Sequence, residues 1–409
     1  MRAGNRRGRL LVKQNGLTVI TEIDSGRETA LRSVLANAGA LIPFDSIVSL
    51  HYAAFVILPE VDDHPPRLVL ETNYDGKLGD HLEQLITQGA KGLDQIYRAC
   101  RDYPAGCTQR DRDEAKRYFL RNKVPSSAFY VAFPGRSRGD IRNAIAVYQT
   151  AKDFLDTQSA APGFRDLTRD QIWKLLVDHF RTLPESDQPL PSPVTQRRLK
   201  WRIAFNLVVF GLPLLAIALV ALPVLFPITR YFERKEAREV TPPRYKTDPL
   251  AAYQKLNLGR QNHMCTLATV KVSWFRAVMV RLCLGLVHLL ASKIFILGNL
   301  DTMTTIHFAR WALFDNNRRV LFLSNFDGTW SSYIGDFSDP PHLNAVWSNT
   351  ERFPPTYFLL WRGARDLARF NDHVVEEFQP TCFFYPPYDH SVENILRYLN
   401  FRDALARAI

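Results

Sequence analysis

The chain has 409 residues, 46% of them hydrophobic, which is long enough for about two to three domains with buried cores and excludes a disordered chain. Lys and Arg number 52 against 41 Asp and Glu, and their excess surrounds a long apolar segment, which suits anionic lipid at least as well as nucleic acid. Neither zinc-knuckle spacing nor basic runs interleaved with aromatic residues are present, so no nucleic acid partner is expected.

Residues 1–183 form the first predicted domain, an α+β unit with a basic N-terminal arm. Two runs rich in β-branched and aromatic residues, SIVSLHYAAFVIL and PRLVLETNYDGKL, predict a hairpin. Apolar residues at helical spacing then predict a helix from Lys77 to Cys100, followed by a further helix, a strand at Ala128 to Phe133 and a final helix. The N-terminus lacks the apolar region of a signal peptide, so the soluble parts are expected on the cytoplasmic side of a membrane.

A Pro-rich linker, residues 184–202, precedes an insertion, residues 203–300, that is predicted to be membrane-associated. Ile203 to Ile228 contains no charged residue and would extend about 39 Å as a helix, more than the hydrocarbon core of a bilayer. Pro213 could divide it into two arms that dip into the membrane and return. A second apolar stretch, Trp274 to Leu297, carries charges, and the sequence leaves open whether it crosses the membrane or lies in the interface.

Basic residues flank the first apolar segment on both sides, so they assign no orientation and favour an arrangement in which both ends face the same surface. Between the two apolar stretches, LGRQNHMCTLATVKV (Leu258 to Val272) is predicted to form a loop at the membrane surface. The lipid membrane is therefore the first expected partner of this chain.

The second half repeats the first. TTIHFARWALF and RRVLFLSNFDGTW match the hairpin sequences above, and the paired positions are His51 with His307, Ala53 with Ala309, Asn73 with Asn325, Asp75 with Asp327, and Gly76 with Gly328. The copies are predicted to start at about Ser46 and Thr304, and residues 301–409 form the second domain, with a strand at Cys382 to Tyr385. Two such units commonly pack sheet to sheet as an intramolecular pseudo-dimer. Both would then lie on one side of the membrane, so the insertion crosses an even number of times or does not fully cross.

Each copy places Asp-Gly directly after its second strand, in TNYDG at Thr72 to Gly76 and in SNFDG at Ser324 to Gly328. A duplicated α+β unit with this feature resembles the ferredoxin-like dimeric α/β-barrel superfamily, and remotely the dye-decolourising peroxidases and chlorite dismutase relatives within it. Those families carry a Gly-x-x-Asp-Gly motif, whose first glycine is replaced here by Thr72 and Ser324. The resemblance covers both repeats and not the insertion.

The resemblance implies a haem-dependent, peroxidase-type oxidoreductase, here membrane-associated and acting on an apolar or lipid-phase substrate. Asp327 would move protons during peroxide cleavage, and an arginine, one of Arg310, Arg362 and Arg365, would stabilise developing negative charge. His373, in the helical stretch ARFNDHVVEEF, would be the proximal haem ligand. The site would also contain His307 and Asn325.

The same residues have a structural interpretation. An Asp that closes a strand and caps the following helix, with Gly at positive φ, explains why the motif occurs in both copies. His51 and His307 would then be core histidines, unless each converges with the Asn-x-Asp residues of the neighbouring strand in a polar cluster. Two other functions follow: a non-catalytic membrane-bound module that binds a hydrophobic ligand or a partner protein, and a cofactor-free enzyme on the same barrel. The sequence contains no P-loop, nucleotide-binding GxGxxG, GxSxG or HExxH motif.

Overall fold

The computed structural model describes residues 12–61, 64–104, 106, 110–191, 196–236, 259–294, 305–330, 332–334 and 341–409. The predicted basic arm lies almost entirely outside this range. The strands are β1 Gln14–Glu22, β2 Leu50–Leu58, β3 Arg67–Asp75, β4 Lys123–Val124, β5 Ala128–Val131, β6 Gln261–Thr269, β7 Ile306–Phe314, β8 Arg319–Asp327, β9 Thr356–Tyr357, β10 Trp361–Arg362 and β11 Thr381–Tyr385. The helices are α1 Glu28–Leu35, α2 Ala38–Leu41, α3 Leu78–Tyr97, α4 Arg112–Arg121, α5 Arg138–Ser159, α6 Arg169–Thr182, α7 Gln196–Asn206, α8 Leu212–Glu236, α9 Trp274–Leu289, α10 Pro341–Trp347, α11 Leu367–Glu377 and α12 Val392–Ala408.

The chain is a mixed α+β protein with antiparallel sheets, as the sequence predicts. One sheet has the strand order β11-β2-β3-β1-β4, the other has the order β5-β7-β8-β6, and β9 pairs with β10 in a small separate hairpin. The two larger sheets face each other across an apolar layer that includes Val56, Val69, Leu267 and Leu321. Helices cover the outer faces, and we call the two sheets with these helices the two-sheet body.

The last strand of each copy joins the sheet of the other copy. β5, from the first half, pairs with β7, so that Tyr130 lies opposite Ala309, and β11, from the second half, pairs with β2, so that Tyr385 lies opposite Ala53. The sequence predicts both strands but not the sheets that they join. The reason is that β2 and β7 are copies of one strand and offer the same free edge, so the sequence pattern does not distinguish them.

Each repeat begins one strand earlier than the sequence predicts. β1 pairs with β3 and β6 pairs with β8 in the same register, with Gln14 opposite Asp75 and Gln261 opposite Asp327. Within the segment predicted as a membrane-surface loop, Gln261–Thr269 thus form a buried strand of the second sheet, inside the range 203–300 assigned to the insertion. The QN dipeptides at Gln14 and Gln261 are the signal for this strand, because the asparagine after each donates to the carbonyl of the motif glycine, at 2.7 Å for Gly76 and 2.8 Å for Gly328.

Helix ends follow the sequence closely in the second half of each repeat. Ser137 and Ser391 are the N-cap residues of α5 and α12, and each hydroxyl accepts a bond from the backbone N–H three residues on. These two final helices pack against each other, and the ring centroids of Tyr148 and Tyr398 lie 4.3 Å apart. The contact joins the two copies a second time, on the outside of the body.

Two helices of the described chain are long and apolar enough to cross a membrane, Trp201–Glu236 and Trp274–Lys293. The first is continuous from α7 through a π-helical turn, Leu207–Gly211, into α8, so Pro213 does not break it. None of its most apolar stretch is buried, whereas 33% of the corresponding stretch of the second is. We call these two helices the apolar helix pair.

Candidate functional site

A histidine and an aspartate form a buried pair at the same place in each copy. His51 Nε2–H donates to Asp75 at 2.8 Å, and His307 Nε2–H donates to Asp327 at 2.7 Å. Both histidines are the extra residue of a β-bulge, because the register shifts between Leu50 and Tyr52 in β2 and between Ile306 and Phe308 in β7. A bulge re-aims one side chain without ending the strand, and here it turns the imidazole toward the aspartate. Of the predicted convergence of His307 with the Asn-x-Asp residues, the contact with Asp327 is present.

The second carboxylate oxygen of each aspartate binds the start of a distant helix. Asp75 accepts from the backbone N–H of Arg138 at 2.8 Å, and Asp327 accepts from that of Val392 at 2.6 Å, which are the first residues of α5 and α12. A carboxylate is stabilising there because the N-terminal N–H groups of a helix have no partner within the helix. The prediction that Asp75 caps the following helix is wrong, since the N-cap residue of α3 is Lys77 and no side chain caps this helix. Gly76 and Gly328 do take positive φ, 84° and 81°.

The two histidines differ in the surroundings of their second ring nitrogen, Nδ1. The Tyr388 hydroxyl lies 3.2 Å from His51 Nδ1 and donates to it, whereas Phe133 packs against His307 with ring centroids 5.8 Å apart. His307 Nδ1 is consequently buried without a hydrogen-bond partner. Tyr388 and Phe133 each follow the exchanged strand of the opposite copy, so each histidine contacts both halves of the chain.

Arg310 and Asn325 belong to a different network, buried between the two sheets. Arg310 donates to Glu71 at 3.1 Å, to the Thr72 carbonyl at 2.8 Å and to the Asn73 side chain. The Asn73 amide in turn donates to Asn325 at 2.7 Å. His263 Nε2–H donates to the other oxygen of Glu71 at 2.6 Å. The four residues predicted as one catalytic set are therefore divided between two networks.

The Glu71 carboxylate is held ionised inside the body. Burial raises its pKa, but Arg310 and His263 outweigh burial and hold that pKa below its ordinary value. Burial also lowers the pKa of Arg310, whose guanidinium is fully enclosed. Gly16 makes room for it, because a Cβ there would lie 2.6 Å from the Arg310 Cζ. Replacing one partner of such a buried pair leaves an uncompensated charge in the interior. The network therefore stabilises the packing of the two sheets against each other.

The other predicted arginines do not approach these networks. Arg362 and Arg365 are exposed on or beside the β9–β10 hairpin. Arg362 has φ of 68°. Of the three candidates, Arg310 alone is buried.

His373 lies on α11, 4% exposed, with its ring 5.3 Å from that of Phe353 and 6.4 Å from that of Trp347. Burial, with the charges of Lys271 and Arg352, lowers its pKa to about 3. The cavity beside it has a volume of about 20 Å³. That is room for about one water molecule. The residues around His373 therefore do not fit a haem in this structure.

Two polar atoms that line this cavity, His373 Nδ1 and Thr266 Oγ1, are buried without hydrogen-bond partners. The other lining side chains are mostly apolar, among them Met264, Phe322 and Phe370. Among the residues that the structure describes, no group of three or more His, Cys, Asp and Glu side chains is arranged to hold a metal ion.

No protein-family model matches the sequence, and comparison with curated proteins and with solved structures finds no significant match. The resemblance to the peroxidase-containing superfamily, with the ferredoxin-like pseudo-dimer and the haem that it implies, therefore stays a prediction. The site is defined by its geometry alone: two buried His–Asp pairs and one buried ion network.

Proposed function

We propose that the chain is a membrane-bound, non-catalytic module, in which the apolar helix pair attaches the two-sheet body to a lipid bilayer. The observation that carries the proposal is the exposed apolar surface of the helix Trp201–Glu236, none of whose most apolar stretch is covered by protein. The largest exposed fractions include 79% for Val220, 64% for Ile217 and 62% for Leu219. Contiguous apolar surface of this size marks a membrane or protein interaction site.

The polar networks support a structural role for the predicted site residues. His307, Asp327, Arg310 and Asn325 are all at most 8% exposed, and each binds other protein groups. A catalytic group has to reach a substrate, usually in a concave pocket. The cavity of about 20 Å³ beside His373 is lined by none of these four residues.

The free thiols favour the cytoplasmic side for the body. Cys100, Cys265 and Cys283 are buried and free, and Cys382 is half-buried and free. Free cysteines are the usual state in a reducing compartment. The exposed apolar surface of the helix Trp201–Glu236 supports lipid best as the partner. A partner protein docked at the same face is the alternative.

Vesicle flotation tests the proposal. Wild-type protein is expected to float with vesicles of phosphatidylcholine and phosphatidylglycerol. The double variant Leu219→Asp, Val220→Asp is expected to bind at least about tenfold more weakly, because each carboxylate would enter the apolar region. The matched control is Leu120→Asp, Leu175→Asp, which changes two exposed leucines of α4 and α6 to the same residue. Equal flotation of both double variants, or no flotation of the wild type, would overturn the proposal.

An absorption spectrum tests the haem peroxidase alternative. The detergent-solubilised protein is expected to show no Soret band after haem supplementation, because the surroundings of His373 leave no room for the ring. A band that His373→Ala abolishes would restore the peroxidase interpretation and contradict a non-catalytic module.

A further inference from the structure

The two helices of the apolar helix pair contact each other near both of their ends. At one end, Asn206 donates to the carbonyl of Lys293 at 2.8 Å, and the Lys293 ammonium lies 5.5 Å from the centre of the Phe210 ring. At the other end, Phe232 stacks on Phe275 with centroids 4.7 Å apart. The two helices therefore run in opposite directions and contact each other near both ends.

The end near Phe232 is also bound to the β9–β10 hairpin. Glu233 accepts from the Thr356 hydroxyl at 2.8 Å and from the backbone N–H groups of Phe358 at 3.0 Å and Leu359 at 2.8 Å. Phe358 and Leu359 have positive φ, 53° and 62°. A backbone in this region is held there by its surroundings, and the Glu233 carboxylate provides that support.

The second helix of the pair is the covering helix of the second sheet. Phe275, Met279, Val280, Cys283 and Leu284 are buried in the core of that sheet. The π-helical turn that follows, Leu290–Ile294, lies beside β5. α9 thus occupies, after β6, the place that α1 and α2 occupy after β1, and neither of its ends leaves the body.

These contacts conflict with a crossing of the bilayer. About 40 Å of helix separates Asn206 from Glu233 at about 1.5 Å per residue. The hydrocarbon core is about 30 Å thick. A crossing helix would have these two residues on opposite sides of the membrane. Asn206 instead bonds Lys293, in the turn beside β5, and Glu233 follows Phe232, which packs on Phe275 in the core of the second sheet. The helix must instead lie beside the body, with its free side facing outward.

The outward side has the composition of a surface that enters one leaflet. Aromatic side chains lie exposed at its margins, as in membrane interfaces. They are Trp201, Phe205, Tyr231, Trp274, Tyr357 and Trp361. Arg202, Arg234 and Lys235 are exposed among them, whereas the acids of this helix, Glu233 and Glu236, are paired with Arg230 and Arg276. A basic rim around apolar surface matches anionic lipid headgroups.

We infer that the apolar helix pair lies in the plane of the membrane, embedded in a single leaflet that contains anionic lipid, and that the β9–β10 hairpin inserts beside it. This inference rests on the proposed membrane binding and adds its geometry. The body then lies on one side of the membrane. Arg230 links the long helix to the hairpin, because its guanidinium carbon lies 4.0 Å from the centre of the Tyr357 ring.

Sided labelling of single cysteines tests the inference. The native cysteines are first replaced, and the cysteine-free chain must float with vesicles as the wild type does. Trp201→Cys, Tyr231→Cys and Val220→Cys are then expressed separately, and sealed membrane vesicles of one orientation are treated with a membrane-impermeant maleimide. The vesicles are floated after labelling, so that loss of membrane binding is scored apart from topology.

For an in-plane helix, Trp201→Cys and Tyr231→Cys react from the same side, and Val220→Cys reacts only after detergent is added. If Trp201→Cys and Tyr231→Cys react from opposite sides, the helix crosses and the inference is wrong while membrane binding stands. If Val220→Cys reacts freely in floated vesicles, the outward side is not embedded and the inference is equally wrong. Failure to float overturns the proposed function itself.

Discussion

His51 and His307 occupy the same bulge in two copies of one unit, but of these two histidines only His51 has hydrogen-bond partners for both of its ring nitrogens. The difference is the Tyr388 hydroxyl, which lies 3.2 Å from His51 Nδ1. Phe133 packs against His307 instead, and His307 Nδ1 has no partner. The first copy can therefore serve as an internal control for the second, because its histidine has the Nδ1 hydrogen bond that His307 lacks.

We expect Phe133→Tyr to raise the free energy of unfolding by about 0.5 to 1.5 kcal/mol, by giving His307 Nδ1 a donor. Tyr388→Phe should lower it by a similar amount, because it leaves His51 Nδ1 unpaired. Guanidinium denaturation in mild detergent measures both. Destabilisation by Phe133→Tyr would show that the two positions are not equivalent.

Asp75→Asn and Asp327→Asn should each cost about 1.5 to 3 kcal/mol, the usual worth of hydrogen bonds to a charged group. Each aspartate joins a bulge histidine to the first turn of α5 or α12, and an asparagine offers one acceptor oxygen in place of two. The same denaturation experiment applies. Unchanged stability in either variant would remove the structural explanation for the repeated Asp-Gly motif.

Arg310→Met should cost about 3 to 5 kcal/mol, because Glu71 would remain buried without its main counter-charge. The double variant Arg310→Met, Glu71→Gln should recover a large part of this loss. A double-mutant cycle gives the coupling energy directly. Additive effects of the two substitutions would show that the ion pair does not connect the sheets.

The stability of the protein should fall as the pH is lowered from about 6.5, the ordinary pKa of histidine, toward 3. His373 has its pKa lowered from 6.5 to about 3 by burial, so in that window the unfolded chain binds a proton that the folded chain does not. At pH 5, His373→Leu should therefore reduce the slope of unfolding free energy against pH by about 1.4 kcal/mol per pH unit. An unchanged slope would mean that His373 is not the buried neutral group described here.

The sequence predicted what the two copies share. The duplicated α+β unit, the Asp-Gly turn and the convergence of His307 with Asp327 depend on residues that recur, and recurrence makes them visible. The apolar helices were visible because both stretches are long, apolar and poor in charged residues.

The ion network was not predicted because its charged groups lie at positions where the copies differ. Gly16 corresponds to His263, Ala54 to Arg310 and Glu71 to Leu323. A comparison of repeats selects identical pairs such as Asn73 and Asn325, so it does not bring these three positions together. The exchange of β5 and β11 was hidden for the opposite reason, since the two receiving edges are too similar to distinguish.

The central claim is that one face of the long helix lies in a single leaflet. Electron paramagnetic resonance measures the depth of a spin label in the bilayer, and labels at Val209, Leu215, Val220 and Val224 sample the exposed surface along the helix. Equal, shallow depths at all four positions are the result that we predict. A depth that rises to a maximum near the bilayer centre at Leu215 and falls toward both ends would show a crossing helix and contradict the account.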